Sequence, residues 1–524
     1  MASLFTGDCF NDNIVPGKMA TNVHCKHFKQ HNELHVDCSH KNLTAVPDTP
    51  ADTVYLYLQN NLIGQIFNQT FALFNRLVFL DLSVNKISAI NENVFTGLQN
   101  LRFLYLSRNQ IFRLLKNVFK HLVSLTVLDL SYNNINSIHE HALGGLVNLQ
   151  QLKLSNNGFE EIQNDTFQYT PKLVNLDLFY NSLYSVTKGV FTGLGNLHQL
   201  NLGGNFIKNI QTNAFQSLRN LTDLNLLFNW LHSVNNQMFT RIQKLHHLNL
   251  MANNMKEISN HTFEILTDLS ILDLSSNLLE SIYEKTFLKL NNLQVLKLNN
   301  NNLAYKTEQL PIRCFQPLAP LKQLPVQRNR KIFSTFILQD ETVKNLKVLK
   351  MLELDVNSDD ERILGIGFSS LHNLSSLIFS GFCNFLLYND TFKYTPKLTN
   401  LSIMACNVMF IETGTFSFFT TLEYVQLDFD FYERSFKPYI LIDLLLSLSK
   451  TTIKVLKMNS VLVQEMVPWR DMNVLLFETP IRELHLSNND DCVGTRSFRK
   501  ERAIPAPVNL QSLELSDNRT DKIS

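Results

Sequence analysis

Three stretches decide the fold: LVFLDLSVN (77–85), LTVLDLSYN (125–133) and LSILDLSSN (269–277). Each has the form L-x-x-L-x-L-x-x-N, a short strand whose leucines alternate to one face, followed by a turn that opens at the asparagine. That asparagine recurs as Asn61, Asn85, Asn109, Asn133, Asn157, Asn181, Asn205, Asn229, Asn253, Asn277 and Asn301, a period of 24 residues. A fixed period of this length predicts like coils stacked into one elongated array rather than several independent globules. Stacking brings the strands into one parallel sheet, where each asparagine amide can satisfy backbone groups left open at the turns of neighbouring coils.

Ten residues past each ladder asparagine stand Phe71, Phe95, Phe119, Phe167, Phe191, Phe215, Phe239, Phe263 and Phe287, with Leu143 breaking the series. Those positions explain a lopsided aromatic usage, 38 Phe against 2 Trp, as a core spine packed coil on coil opposite the strands. After Asn301 the period loosens, and the turns fall at Asn329, Asn357, Phe382, Cys406, Asp430, Val461, Asn489 and Asn518. Phe392 and Phe416 keep the spine there, and a helical turn is expected near Lys437 to Ser449. Of the 524 residues, 44% are hydrophobic and 18% charged, which excludes a disordered chain. With 47 basic against 46 acidic residues, the net charge of +1 gives no general drive toward nucleic acid or anionic lipid.

The L-x-x-L-x-L-x-x-N phrase resembles the leucine-rich repeat. The resemblance implies an α/β leucine-rich repeat solenoid (horseshoe), with a concave parallel β-sheet and a loop or short-helix convex side. Cys25 and Cys38 flank a stretch ending CSHKNLTAVPDTP (38–50), directly before the first coil, and this is similar to the N-terminal cap of extracellular members. A solenoid's first coil lacks a neighbour above it, so the resemblance implies a lid closed by a Cys25–Cys38 disulfide; free thiols or a metal pair are the alternatives. The expected division is an extension over 1–24, the cap over 25–52, regular repeats over 53–301 and irregular repeats over 302–524.

Taken together, the 24-residue coils, phenylalanine spine, two-cysteine cap and irregular distal half resemble the ectodomain of Toll-like receptors. That resemblance implies a pattern-recognition receptor on the extracellular side of the plasma membrane or in the endosomal lumen. Its partners would be a microbial ligand and a second ectodomain, as homo- or heterodimer. An adhesion or secreted carrier protein built on the same repeat is the alternative. Residues 1–15 carry no secretory signal and no apolar run is long enough to span a bilayer, so the resemblance further implies a fragment, an incomplete gene model or a soluble form.

Sequons at Asn42, Asn68, Asn164, Asn220, Asn260, Asn373, Asn389 and Asn400 are expected glycosylation sites. Asn68, Asn164, Asn260 and Asn389 share one phase, seven residues past a ladder position, where other coils carry charged residues. Asn518 also opens a sequon but occupies a ladder position and is expected to be a poor acceptor. Of the remaining cysteines, Cys383 and Cys406 lie close enough in phase to bridge adjacent coils or to fill asparagine sites as buried thiols. Cys492 falls in an expected protruding loop over 490–507, and Cys9 and Cys314 have no assigned partner.

Residues between the leucines should face the concave side. Bulky ones cluster twice, as Tyr55, Tyr57, Phe79, Phe103 and Tyr105, and as Phe179, Tyr180, Leu227, Phe228 and Met251. Gly203 and Gly204 between the latter are expected to leave a depression, and this second cluster is the candidate ligand or partner contact. Charge on the face leans acidic, through Asp81, Asp129, Asp177, Asp223, Asp273, Glu353, Asp355 and Asp428, against Lys153, Lys297, Arg108, Arg328 and Lys457. That disfavours concave binding of nucleic acid. In the cap, His24, His27, His31, His35 and His40 would become cationic in acid; the resemblance to receptors that bind RNA in endosomes through cap histidines implies acid-gated RNA contact as a minority reading, beside a solvated polar cap or zinc, whose closed ligand spacing they do not match. No catalytic motif, metal set or cofactor loop is present, which points to a binding protein and not an enzyme.

Overall fold

A computed structural model describes residues 25–304, 308–329, 338, 340–355, 364–380, 384–404, 407–428, 438–459, 479–487 and 509–514. His24, Cys9, Cys383, Cys406, Cys492, Asn518, the 490–507 loop and the expected turns at Asn357, Phe382, Asp430, Val461 and Asn489 lie outside them.

Two cap strands, β1 (Lys26–Gln30) and β2 (Glu33–Asp37), form an antiparallel pair. Strand β2 then pairs in parallel with β3 (Tyr55–Tyr57), followed by β4 (Phe79–Asp81) and β5 (Phe103–Tyr105). The same parallel register continues to Ser512–Glu514, so the cap and every later coil share one 21-stranded sheet. Strands of this sheet are three residues long in the regular section and five from Met351–Asp355 to Glu483–Ser487, and short two-residue parallel pairs such as Arg113–Leu114 with Ser137–Ile138 form beside it. Their central leucines, such as Leu56, Leu80 and Leu104, are fully buried. The convex side is mostly turns, with a 3-10 helix at Ile366–Ser370 and an α-helix at Pro438–Leu448, where a helical turn was expected.

The asparagine ladder works as its chemistry predicts. Asn85 Nδ2 donates to the carbonyls of Leu58 in the preceding coil and Leu82 in its own, at 2.9 and 3.1 Å. Its Oδ1 accepts the Ile63 N–H at 3.0 Å. One amide thus closes three backbone groups across two coils, and the pattern repeats to Asn301. Opposite the sheet, the phenylalanine rings are buried and stack between coils, with Phe71–Phe95 centroids 6.5 Å and Phe95–Phe119 centroids 6.0 Å apart. Phe315 and Phe368 extend the spine through coils where the period had loosened.

A second asparagine series escaped the sequence reading. Asn100, Asn148, Asn196, Asn220, Asn292 and Asn373 each donate Nδ2 to a carbonyl of the preceding coil at 2.7–3.0 Å. The signal was present, since these asparagines stand immediately before the first leucine of their phrase. The cap disulfide joins Cys25 to Cys38, and Cys38 and Val36 lie fully buried over the first coil. Cys314 is a free thiol inside the core, where burial pushes its pKa up and keeps it protonated.

Candidate binding faces of the solenoid

Strand residues flanking each central leucine point out of the sheet, so the surface is built from rows of residues one coil apart. The bulky cluster Phe179, Tyr180, Leu227, Phe228 and Met251 lies beyond the strand ends Asp177, Asn225 and Asn249, on the edge where the sheet turns. Tyr180 and Phe228 are 54% and 51% exposed, whereas Phe179, Leu227 and Met251 are half-buried. The expected depression is filled. A methyl group on Gly203 would meet Phe179 and Leu227 at 3.1 Å, and one on Gly204 would meet the Tyr180 ring at 3.1 Å. The missing side chains let the rings close over the backbone, so the edge is a raised aromatic patch.

A second exposed aromatic group follows the ladder asparagines of the same coils. Tyr184 stacks on Phe206 at 5.9 Å, Phe206 meets Trp230 at 5.0 Å, and Lys208 lies over the Trp230 ring at 5.0 Å. All three aromatics are exposed. They occupy turn positions after the ladder asparagine, which a reading confined to strand residues could not collect.

On the sheet itself, most of the acidic tilt has a structural use. Oδ1 of Asp81, Asp129, Asp177 and Asp273 accepts the backbone N–H two residues on at 2.9–3.1 Å, closing the strand end. Asn201, Asn225 and Asn249 do the same. Lys153 pairs with Asp129 at 3.7 Å and Lys297 with Asp273 at 3.0 Å. Between those lysines runs an open trough of about 540 Å³, whose lining includes Asn175, Asn201, Asn225 and the pair His247–Asp223 at 2.5 Å. This polar trough was not anticipated, because its members look individually like solvated strand residues. Farther along, burial pushes the Glu353 carboxyl above its ordinary range, partly offset by a hydrogen bond from Gln327 and the charges of Arg328 and Lys297.

In the cap, His27, His31 and His40 are exposed, but His35 is buried. Its ring is sandwiched between Phe28 at 4.9 Å and Tyr55 at 4.2 Å, so it belongs to the packed sheet and not to an exposed histidine cluster.

Two family models match the sequence of these coils: the BspA type leucine rich repeat region, in 6 copies over residues 113–230, and the leucine rich repeat over 53–111 and 243–303. This is a leucine-rich repeat solenoid. The repeat chain is 44% identical over 66 residues to leucine-rich repeat-containing protein 3B of Homo sapiens, covering 12% of this chain and 26% of that protein. It is 41% identical over 66 residues to epiphycan of Gallus gallus, covering 13% and 21%. The chain thus spans about a quarter of the length of the curated relatives it matches. Among solved structures, a leucine-rich repeat protein of Leptospira interrogans superposes with TM-score 0.61 at 24% identity, over 80% of this chain and 94% of that one. The TLR13–ssRNA13 complex gives TM-score 0.50 at 19% identity over 94% and 96%. These likenesses show the fold. No helix among the described residues is long and apolar enough to cross a membrane.

Proposed function

We propose that this repeat protein is the ligand-binding ectodomain of a pattern-recognition receptor of Toll-like type, which captures a microbial ligand and pairs with a second ectodomain. The observation that carries the reading is the set of exposed aromatics on neighbouring coils, Tyr180 and Phe228 just before the ladder asparagines and Phe206 and Trp230 just after them. Exposed aromatics grouped on a rigid scaffold offer contact area at low entropic cost. Phe179, Leu227 and Met251 support the patch from beneath. The 24-residue coil, the spine and the cap favour the Toll-like form of this function, and the Cys25–Cys38 bridge favours a compartment outside the reducing cytosol.

The alternative, an adhesion or secreted carrier protein, is favoured by the sequence matches to epiphycan and leucine-rich repeat-containing protein 3B. Nucleic acid remains the minority ligand. The TLR13 structure holds ssRNA13, but here the RNA reading rests on His27, His31 and His40 alone, and the concave aspartates oppose it.

Glycan placement bears on the compartment. Asn42, Asn68, Asn164, Asn260, Asn389 and Asn400 are exposed. Asn220 and Asn373 already donate Nδ2 to the preceding coil, Asn389 donates Nδ2 to Glu412 at 3.1 Å, and Asn220 is half-buried. Efficient occupancy is therefore expected at Asn42, Asn68, Asn164, Asn260 and Asn400, and lower occupancy at Asn220, Asn373 and Asn389.

The test is binding of secreted protein to RNA, lipopeptide and flagellin-like protein at neutral and acid pH, with Y180D/F228D as the comparison. Loss of binding and of pairing in that variant supports the receptor reading. Undiminished binding by the variant sinks the edge as the site, and a full-length transcript lacking a membrane helix and signalling domain sinks the Toll-like form.

A further inference from the structure

The cap and the first coils carry a second surface, separate from the Tyr180 edge. Parallel register aligns Asp37, Tyr57, Asp81, Tyr105 and Asp129 in one row across five strands. Beside it runs a second row, Phe28, His35, Tyr55, Phe79 and Phe103. Its rings are in continuous contact, with Tyr55–Phe79 centroids 5.9 Å and Phe79–Phe103 centroids 6.4 Å apart. The rows interlock through Phe79, which meets Tyr57 at 5.1 Å and Tyr105 at 5.4 Å. Every tyrosine and phenylalanine of the two rows keeps part of its ring in solvent.

Charge sets what this face can accept. Lys26 stands opposite Asp37 at one end and Lys153 follows Asp129 at the other, so the acidic track is bracketed by lysines. Within it, neither Asp37 nor Asp81 has a cation within ion-pair distance among the described residues. Asp37 and Asp81 also raise the Tyr57 hydroxyl pKa, after burial and Tyr55, which records how close the phenol and carboxylates lie. Carboxylates alternating with aromatic rings favour guanidinium and ammonium groups, which satisfy both at once. Neighbouring parallel strands lie about 4.8 Å apart, so successive aspartates recur at roughly 9.6 Å. A polyproline II chain rises about 3.1 Å per residue, which brings every third side chain round at about 9.3 Å.

We propose that this face docks an extended basic segment of a partner protein, in polyproline II conformation, with Arg or Lys at two positions three residues apart. The two cations meet Asp37 and Asp81, while the stems and intervening prolines lie on Tyr57, Tyr105 and the Phe79 row; Asp129, buried and paired with Lys153 at 3.7 Å, ends the track. The lysines at both ends limit the register to that length. The inference does not rest on the receptor reading, because an adhesion or carrier protein could use the same face.

The probe is a fluorescent peptide with two Arg-Pro-Pro repeats, titrated against the full chain, beside a peptide of identical composition with its two arginines adjacent. The spaced peptide should bind, with salt-dependent affinity, and more tightly than the clustered one. D81N should weaken it about fivefold. That variant retains the fold, because Asn201, Asn225 and Asn249 close the equivalent strand ends with the same Oδ1. F79A should weaken both peptides, and D177N, beyond Lys153, should leave the affinity unchanged. Equal binding of the two peptides, or D81N binding like the parent, overturns the proposal. So does tighter binding of a neutral chito-oligosaccharide that depends on Phe79 and not on Asp81, which would make the face a sugar platform.

Discussion

The ring of Tyr180 lies over the backbone of Gly204, so close that a methyl group on the glycine would sit 3.1 Å from the ring carbon Cδ1. Gly204 has φ +66°, but the same left-handed turn is adopted by Val84, Arg108, Tyr132, Tyr180 and Phe228 at equivalent positions. Side chains are thus tolerated at that φ, but at a strain cost that glycine avoids. The aromatic ring of the preceding coil adds a second reason for glycine.

G204A should displace Tyr180 and cost about 1–2 kcal/mol, read from the urea midpoint. In the Y180A background the cost should fall to the roughly 1 kcal/mol of an alanine at positive φ, since the clash is gone. Equal costs in both backgrounds would place the strain elsewhere.

Asn109 offers a sharper test of the ladder. Its Nδ2 donates to Leu82 and Leu106 at 3.0 Å each, and its Oδ1 accepts from Ile87 at 3.0 Å. N109A strands three buried backbone groups, with an expected cost of about 2–4 kcal/mol. Because coils contact only their neighbours, faster hydrogen exchange should concentrate in the two coils around residues 82–111 and leave 200–300 unchanged. Uniform loss of protection would show a more cooperative unit than the repeat geometry implies.

Phe191 is buried between Phe167 at 6.5 Å and Phe215 at 6.0 Å. F191A should cost about 3–5 kcal/mol through the cavity it leaves. F191L should cost markedly less, since Leu143 fills the same phase elsewhere. Calorimetry on the pair would reveal whether the spine depends on ring stacking or on volume.

Glu353 gives the pH dependence. Its folded pKa is raised by burial, so the native state holds the proton more tightly than the unfolded chain. The group's contribution is fully present below the unfolded glutamate value of about 4.3 and is lost as pH rises through the folded value. E353Q should therefore gain stability relative to the parent above that window and lose the advantage below it. A parallel pair of stability curves between pH 4 and 8 would contradict this.

Much of the molecule is legible in the sequence. The 24-residue period placed the strands, the ladder amides and the spine, because each coil repeats the same local solution and meets only its neighbours. The Asn100 series was equally readable but went unnoticed, lying one residue outside the phrase that defines the repeat. The edge patch was half legible: Tyr180 and Phe228 stood out, while Trp230, Phe206 and Tyr184 sit in turns whose direction no strand alternation predicts.

By itself, then, the sequence determined the solenoid, its ladder and its core spine, since these follow from residue type at a fixed phase. Only the tertiary structure decided that Phe179 and Tyr180 close over Gly203 and Gly204, that His35 is sandwiched between Phe28 and Tyr55, and that Asp37, Asp81 and Asp129 share a row with two tyrosines. Those relationships depend on how rings orient between one coil and the next. Periodicity places a residue on a face, but the neighbouring coil decides what its side chain touches.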